Sequence, residues 1–171
     1  MSRAPDPIDA LVGQWGRERS DLDLETMARV ARVLEVARLI DGEISALAAR
    51  AGVDLAEGDI LFALRRAGAP YRLAPSAISA ALLVSSGTLT SRLDRLERKG
   101  LIRRIRHPTD RRSTEVELTP GALRAVDAAV TEHVANEQQM LSVLSAGEQA
   151  QLDRVMRKLL THLAARRDDV A

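Results

Sequence analysis

Between residues 85 and 112 the chain carries nine cationic side chains (Arg92, Arg95, Arg98, Lys99, Arg103, Arg104, Arg106, Arg111 and Arg112) against three acids, Asp94, Glu97 and Asp110. The window is therefore +6 in a chain whose total is +1, which leaves −5 for the remainder. Charge segregated in this way suits one anionic partner docking at one place, and a phosphate backbone is the simplest candidate. Ser85, Ser86, Thr88, Thr90 and Ser91 lead into the cations. Short hydroxyls and guanidiniums on one helix face are what hydrogen bonding to base edges in a major groove requires. The chemistry on offer is recognition rather than bond-making. His107, His133 and His162 are scattered, cysteine is absent, and no Gly-rich phosphate loop or nucleophile motif occurs. No catalytic residue, metal or cofactor is expected, and disulfides and thiol redox sensing are excluded.

These side chains need a helix and a hairpin to present them. From Ser85 to Lys99, the residues Thr88, Ser91, Arg92 and Arg95 recur at three- and four-residue spacing, while Leu89, Leu93 and Leu96 form the opposite, core-facing stripe. Ser85 and Ser86 offer an N-cap and Gly100 a stop. Free N–H groups at the helix start favour a phosphate. A short helix over 75–83 precedes it, so the pair reads as two helices around a tight turn. LIRRIRH and STEVELT are β-compatible runs joined by PTDRR, a hairpin with a basic tip. Arg111 or Arg112 at that tip, with Arg106 beside it, would enter a minor groove, and Asp110 would orient a neighbouring Arg.

Helices flank this lobe. Residues 6–19 suit a short helix, and Met27, Val30, Ala31, Leu34, Ala37, Ile40, Ile44 and Leu47 mark one long amphipathic helix from Leu24 to Arg50. LAEGDILFALRRAG reads as a third helix and AGAPYRLAP as a turn-rich connection. Thr119 and Pro120 open another helix. Ser145 with Glu148 suggests a capping box, and Leu152, Met156, Leu159 and Leu163 give the last helix an apolar stripe. The expected fold is mainly α with a small β-hairpin wing. Its expected divisions are 1–50, an amino-terminal extension with dimerisation helices; 51–120, the DNA-binding lobe; and 121–171, carboxy-terminal dimerisation helices. At 171 residues and 46% hydrophobic content the chain can bury a core, yet no run approaches the ~20 apolar residues of a membrane span. No targeting segment is evident at the start, and a cytoplasmic location is expected.

The stretch SAISAALLVSSGTLTSRLDRLERKGLIRRIRHPTDRRSTEVELTPGA, followed by two helices, resembles the multiple-antibiotic-resistance regulator (MarR) family. The resemblance implies a winged helix-turn-helix transcriptional regulator, not an enzyme. Ser76 to Val84 would be the first helix of the pair, Ser85 to Lys99 the recognition helix and Thr109 to Ser113 the wing tip. It also implies a homodimer joined through its terminal helices, most often a repressor, released from DNA by small aromatic anions. Apolar stripes on those helices give dimerisation a physical motive of its own. Two recognition helices would then enter major grooves about 34 Å apart on a palindromic operator.

QWGRERSDLDLETMARVARVLEVARLID and GDILFALRRAGAPYRLAPS are similar to the urate-responsive branch of that family. The resemblance implies an effector site built from Trp15, Asp59 and Arg66, with Arg65 as the alternative to Arg66 and Arg92, Arg95 or Arg104 as a fourth partner. Asp59, Phe62 and Arg66 share one face of their helix, next to apolar Ile60, Leu61 and Leu64. A carboxylate bordering so apolar an element would respond to pH or to an anionic ligand. Structural packing of Trp15 and an ordinary ion pair at Asp59 are the competing assignments. For the whole chain the competing function is a winged-helix protein-interaction module without ligand response, against which Arg92, Arg95, Arg111 and Arg112 speak.

Overall fold

The computed structural model describes residues 5–106 and 114–168. Its elements run α1 (Pro7–Glu18), α2 (Leu24–Arg50), α3 (Leu55–Arg66), β1 (Arg72–Leu73), α4 (Pro75–Leu82), α5 (Ser86–Arg98), β2 (Ile102–Arg106), β3 (Thr114–Leu118), α6 (Pro120–Leu141) and α7 (Ala146–Asp168). They divide into two compact units, 1–118 and 119–171. No helix among the described residues is long and apolar enough to cross a membrane.

In the first unit, side-chain caps decide where helices start. Asp6 accepts from the backbone N–H groups of Ile8 and Asp9, and Asp9 returns a bond to the Asp6 N–H. Arg32 of α2 then reaches both carboxylates, at 2.7 Å to Asp6 and 2.5 Å to Asp9, which docks α1 onto α2. Asp54 and Glu57 form the same reciprocal cap at the start of α3. In the second unit, Thr119 likewise caps α6 through the Ala122 N–H.

The lobe's core follows the apolar stripes. Ile60 and Leu64 of α3, Ile78 of α4, Leu89, Leu93 and Leu96 of α5, Ile102 of β2 and Val116 and Leu118 of β3 are all buried. Leu83 ends α4 in the left-handed region, with φ 53, and turns the chain into the Ser85 cap of α5. Gly100, with φ 70, closes α5 as the sequence requires.

The hairpin is one strand richer than its pattern suggests. Strand order is β1-β3-β2, with β1 and β2 both antiparallel to β3. Arg72 and Leu73, within the stretch read as a turn-rich connection, pair with Glu117 and Val116. A two-residue strand is too short to show alternation, and only its partner creates it. Glu117 is buried at the centre of this sheet, accepting from Arg72 of β1 at 2.8 Å and from Arg103 of β2. Both guanidiniums hold its carboxyl below the usual carboxylate range against the opposing effect of burial.

The second unit holds α6 and α7. Ser145 and Glu148 form the expected capping box, with the Glu148 carboxylate accepting from the Ser145 N–H at 2.8 Å and its hydroxyl at 2.7 Å. On α7 every residue whose side chain is described is exposed except half-buried Met156.

Candidate nucleic-acid interface

The amino-terminal half of α5 is an open polar surface. Ser85 Oγ accepts from the Thr88 N–H at 3.4 Å and donates to Thr88 Oγ1 at 3.0 Å, so the first turn is held while Ser85, Ser86, Gly87, Thr88, Thr90 and Ser91 stay exposed. Thr90 donates to the Ser86 carbonyl at 2.9 Å and Ser91 to the Thr88 carbonyl at 2.9 Å. Both hydroxyls keep their acceptor lone pairs free to take bonds from a ligand. Arg92, one turn further on, is half-buried and makes no hydrogen bond or ion pair among the described residues. The N–H groups of the first turn, the hydroxyls and this guanidinium together suit phosphate and base edges.

Much of the +6 window is already neutralised within the lobe. Arg95 donates to Glu57 at 2.8 Å and to Asp54 at 3.0 Å, and Lys99 donates to Glu57 at 2.6 Å. Arg104 pairs with Asp94 and Glu97, each at 2.6 Å, and Arg103 with Glu117. Those carboxylates raise the affinity of Arg95 and Arg104 for their protons. What remains for a polyanion on the described surface is Arg92, Arg98 and Arg106. The Arg98 guanidinium makes only a long 3.3 Å bond to the Asp94 carbonyl, and Arg106 is exposed at the far end of β2. Arg95 thus shares the helix face of Thr88, Ser91 and Arg92 by spacing, yet its guanidinium is turned onto α3. Asp110, Arg111 and Arg112, with His107, lie outside the described residues.

Glu57 is the residue that sequence reasoning passed over. Its side chain is 1% exposed, and Lys99, Arg95 and the Asp54 N–H hold its carboxyl down at about 2 despite the burial that opposes ionisation. The spacing Asp54-x-x-Glu57 before an apolar run is a legible capping signal. Its long-range half, to residues some 40 positions away, leaves no local trace.

The three residues matched to an effector site are surface residues of this chain. Trp15 of α1 is 43% exposed, and Asp59 and Arg66 of α3 are exposed. No hydrogen bond or ion pair joins them among the described residues. Asp59 is thus exposed while Ile60, Leu61, Ala63 and Leu64 of the same helix turn to the core.

Comparison with known proteins settles the family. The chain is 39% identical over 160 residues to the HTH-type transcriptional regulator PecS of Dickeya dadantii (strain 3937), spanning 94% of this chain and 96% of that one. The MarR family profile matches residues 51–113. The chain belongs to the MarR family. MarR-family structures share its fold: AbsC of Streptomyces coelicolor superposes with a TM-score of 0.70 at 25% identity, covering 84% of this chain and 97% of that one. A mutant MarR from E. coli complexed with operator DNA gives 0.67 at 25% identity, covering 81% and 99%. This MarR-family chain is accordingly a DNA-binding transcriptional regulator of winged helix-turn-helix type, and its relatives are regulators rather than enzymes.

Proposed function

We propose that the protein acts as a homodimer on a palindromic operator, most simply as a repressor, and that a small aromatic anion of the urate type releases it. In this reading α5 enters the major groove with Ser85, Ser86, Thr88, Thr90, Ser91 and Arg92 toward the DNA, and Arg106 leads the hairpin, with Asp110, Arg111 and Arg112, toward the flanking minor groove. The observation that carries it is Arg92, a guanidinium with no partner among the described residues, one turn beyond an exposed run of hydroxyls.

Dimerisation through residues 1–50 and 121–171 is supported by the apolar surface left on the terminal helices. Leu11 and Trp15 of α1 are exposed, as are Leu152, Val155, Leu159, Leu160 and Leu163 of α7. A monomer would leave these side chains in water. The ligand response follows from the resemblance of the stretches around Trp15, Asp59 and Arg66 to the urate-responsive branch: all three are exposed, and an aromatic anion would stack near the Trp15 ring, pair with the Arg66 guanidinium and repel the Asp59 carboxylate. The ligand can release DNA only through unequal affinity for two conformations of the dimer.

The test is selection of bound duplexes from random DNA, followed by titration of urate and other aromatic acids into the complex. Inverted repeats whose affinity falls steeply with salt are expected, and so is release by at least one such anion. Enrichment of no sequence would overturn the operator reading, and indifference to every anion the effector reading.

A further inference from the structure

The structure points to a division of labour along α5 that charge counting hides. Arg95 and Lys99 lie four residues apart, so their attachment points are separated by about one helical turn. Both converge on one enclosed carboxylate. Glu57 Oε1 accepts from Arg95 Nε at 2.8 Å, while Oε2 accepts from Lys99 Nζ at 2.6 Å and from the Asp54 N–H at 3.1 Å. Two outer bonds brace the junction: Arg95 Nη2 to Asp54 Oδ2 at 3.0 Å and Lys99 Nζ to the Gly52 carbonyl at 2.9 Å. The other grips on α5 are buried Leu89, Leu93 and Leu96 and, from β2, Arg104 on Asp94 and Glu97. Apolar contacts are non-directional and tolerate small rolls of the helix, whereas two directional bonds one turn apart fix its rotation.

We propose that Arg95 and Lys99 are positioning residues that clamp the recognition helix to Glu57, setting the angle at which Thr88, Ser91 and Arg92 face the groove. The proposal rests on the DNA-binding reading above. Swinging Arg95 to a phosphate would strip an enclosed carboxylate of one of its cations, and that loss outweighs a solvent-screened phosphate contact. The cationic end of α5 thus serves the lobe's geometry rather than the duplex.

The experiment measures affinity for a selected duplex across a salt series with the full-length protein and its Arg95→Gln, Lys99→Gln, Glu57→Gln and Glu57→Gln/Arg95→Gln variants. Arg92→Ala serves as the groove-facing control. Each clamp substitution is expected to weaken binding about tenfold at fixed salt, with the double variant no weaker than the worse single one. The slope of log affinity against log salt stays unchanged, whereas removing a phosphate contact lowers it by roughly 0.9. Hydrogen exchange without DNA should show faster exchange of the α5 amides in all clamp variants. If Arg95→Gln lowers the slope while Glu57→Gln leaves affinity intact, Arg95 is a DNA contact and the clamp is overturned. Should Glu57→Gln fail to fold, the slopes of the Arg95 and Lys99 variants decide, since both side chains are more than one-third exposed and tolerate replacement. Wild-type protein that bound no duplex would defeat the DNA-binding reading, and exchange at α5 would still judge the clamp.

Discussion

The junction of α3 with α5 and the surface of α7 are opposite solutions to stabilising a helix. At the junction a single chain supplies everything: Leu89, Leu93 and Leu96 are buried, and the carboxylate of Glu57 meets both of its cations. Along α7 a single chain supplies almost nothing, since Leu160 is 69% and Leu163 56% exposed. The reading lobe is thus complete in one copy, while the carboxy-terminal helix has an apolar stripe with no counterpart on itself. Under the homodimer proposed above, reading and pairing fall to different regions, and substitutions in the two should fail in different ways.

The sharpest contrast is between Leu96→Ala and a charge on α7. Leu96 is fully buried, and its truncation is expected to cost about 2–5 kcal/mol, seen as a lower thermal midpoint at every protein concentration. Under the homodimer proposed above, Leu159→Glu with Leu163→Glu should leave the lobe folded and separate the two copies. The measured outcome is a monomer in analytical ultracentrifugation and a loss of operator affinity of about 100-fold, the contribution of a linked second half-site. A dimer that survived both charges would erase the distinction between the regions.

Acid offers a third lever. Glu57 sits at about 2 against an ordinary 4.5, so its contribution is present in full above pH 4.5 and is lost as pH falls toward 2. That contribution is on the order of 2 kcal/mol after allowing for its partly exposed partners. Glu57→Gln should flatten acid unfolding of the lobe over this window, followed by far-UV circular dichroism. Next in size is Arg92→Ala, expected to relax operator preference by about 1–3 kcal/mol without changing the thermal midpoint, as competition binding would show. The smallest effect belongs to the exposed Glu25–Arg29 pair on α2, where Arg29→Ala should shift stability by no more than about 0.5 kcal/mol.

The helix-turn-helix and its hairpin were legible because their signals are local. Ser85 caps α5, Gly100 stops it, the leucines repeat at helical spacing, and Thr119-Pro120 opens α6. Two things were not legible. Strand β1 is only Arg72 and Leu73, and it acquires its character from β3 rather than from its own pattern. The partner of Arg95 is Glu57, 38 residues earlier, so helical spacing grouped it with Arg92 although its guanidinium turns onto α3. Asp59 is exposed although Ile60 and Leu61, its neighbours in sequence, turn to the core, because successive residues of a helix point in different directions.

Glu117 carries a further consequence for the hairpin. It stands opposite Arg72 on one side and Arg103 on the other, in the middle strand of a three-stranded sheet. Sliding β3 by one residue against its neighbours would turn that carboxylate to the other face, away from both guanidiniums, and carry Val116 and Leu118 out of the interior with it. The pairing therefore has one low-energy alignment. Arg106 and Thr114, the paired ends of β2 and β3, are thereby held at a height that an ionic key has indexed.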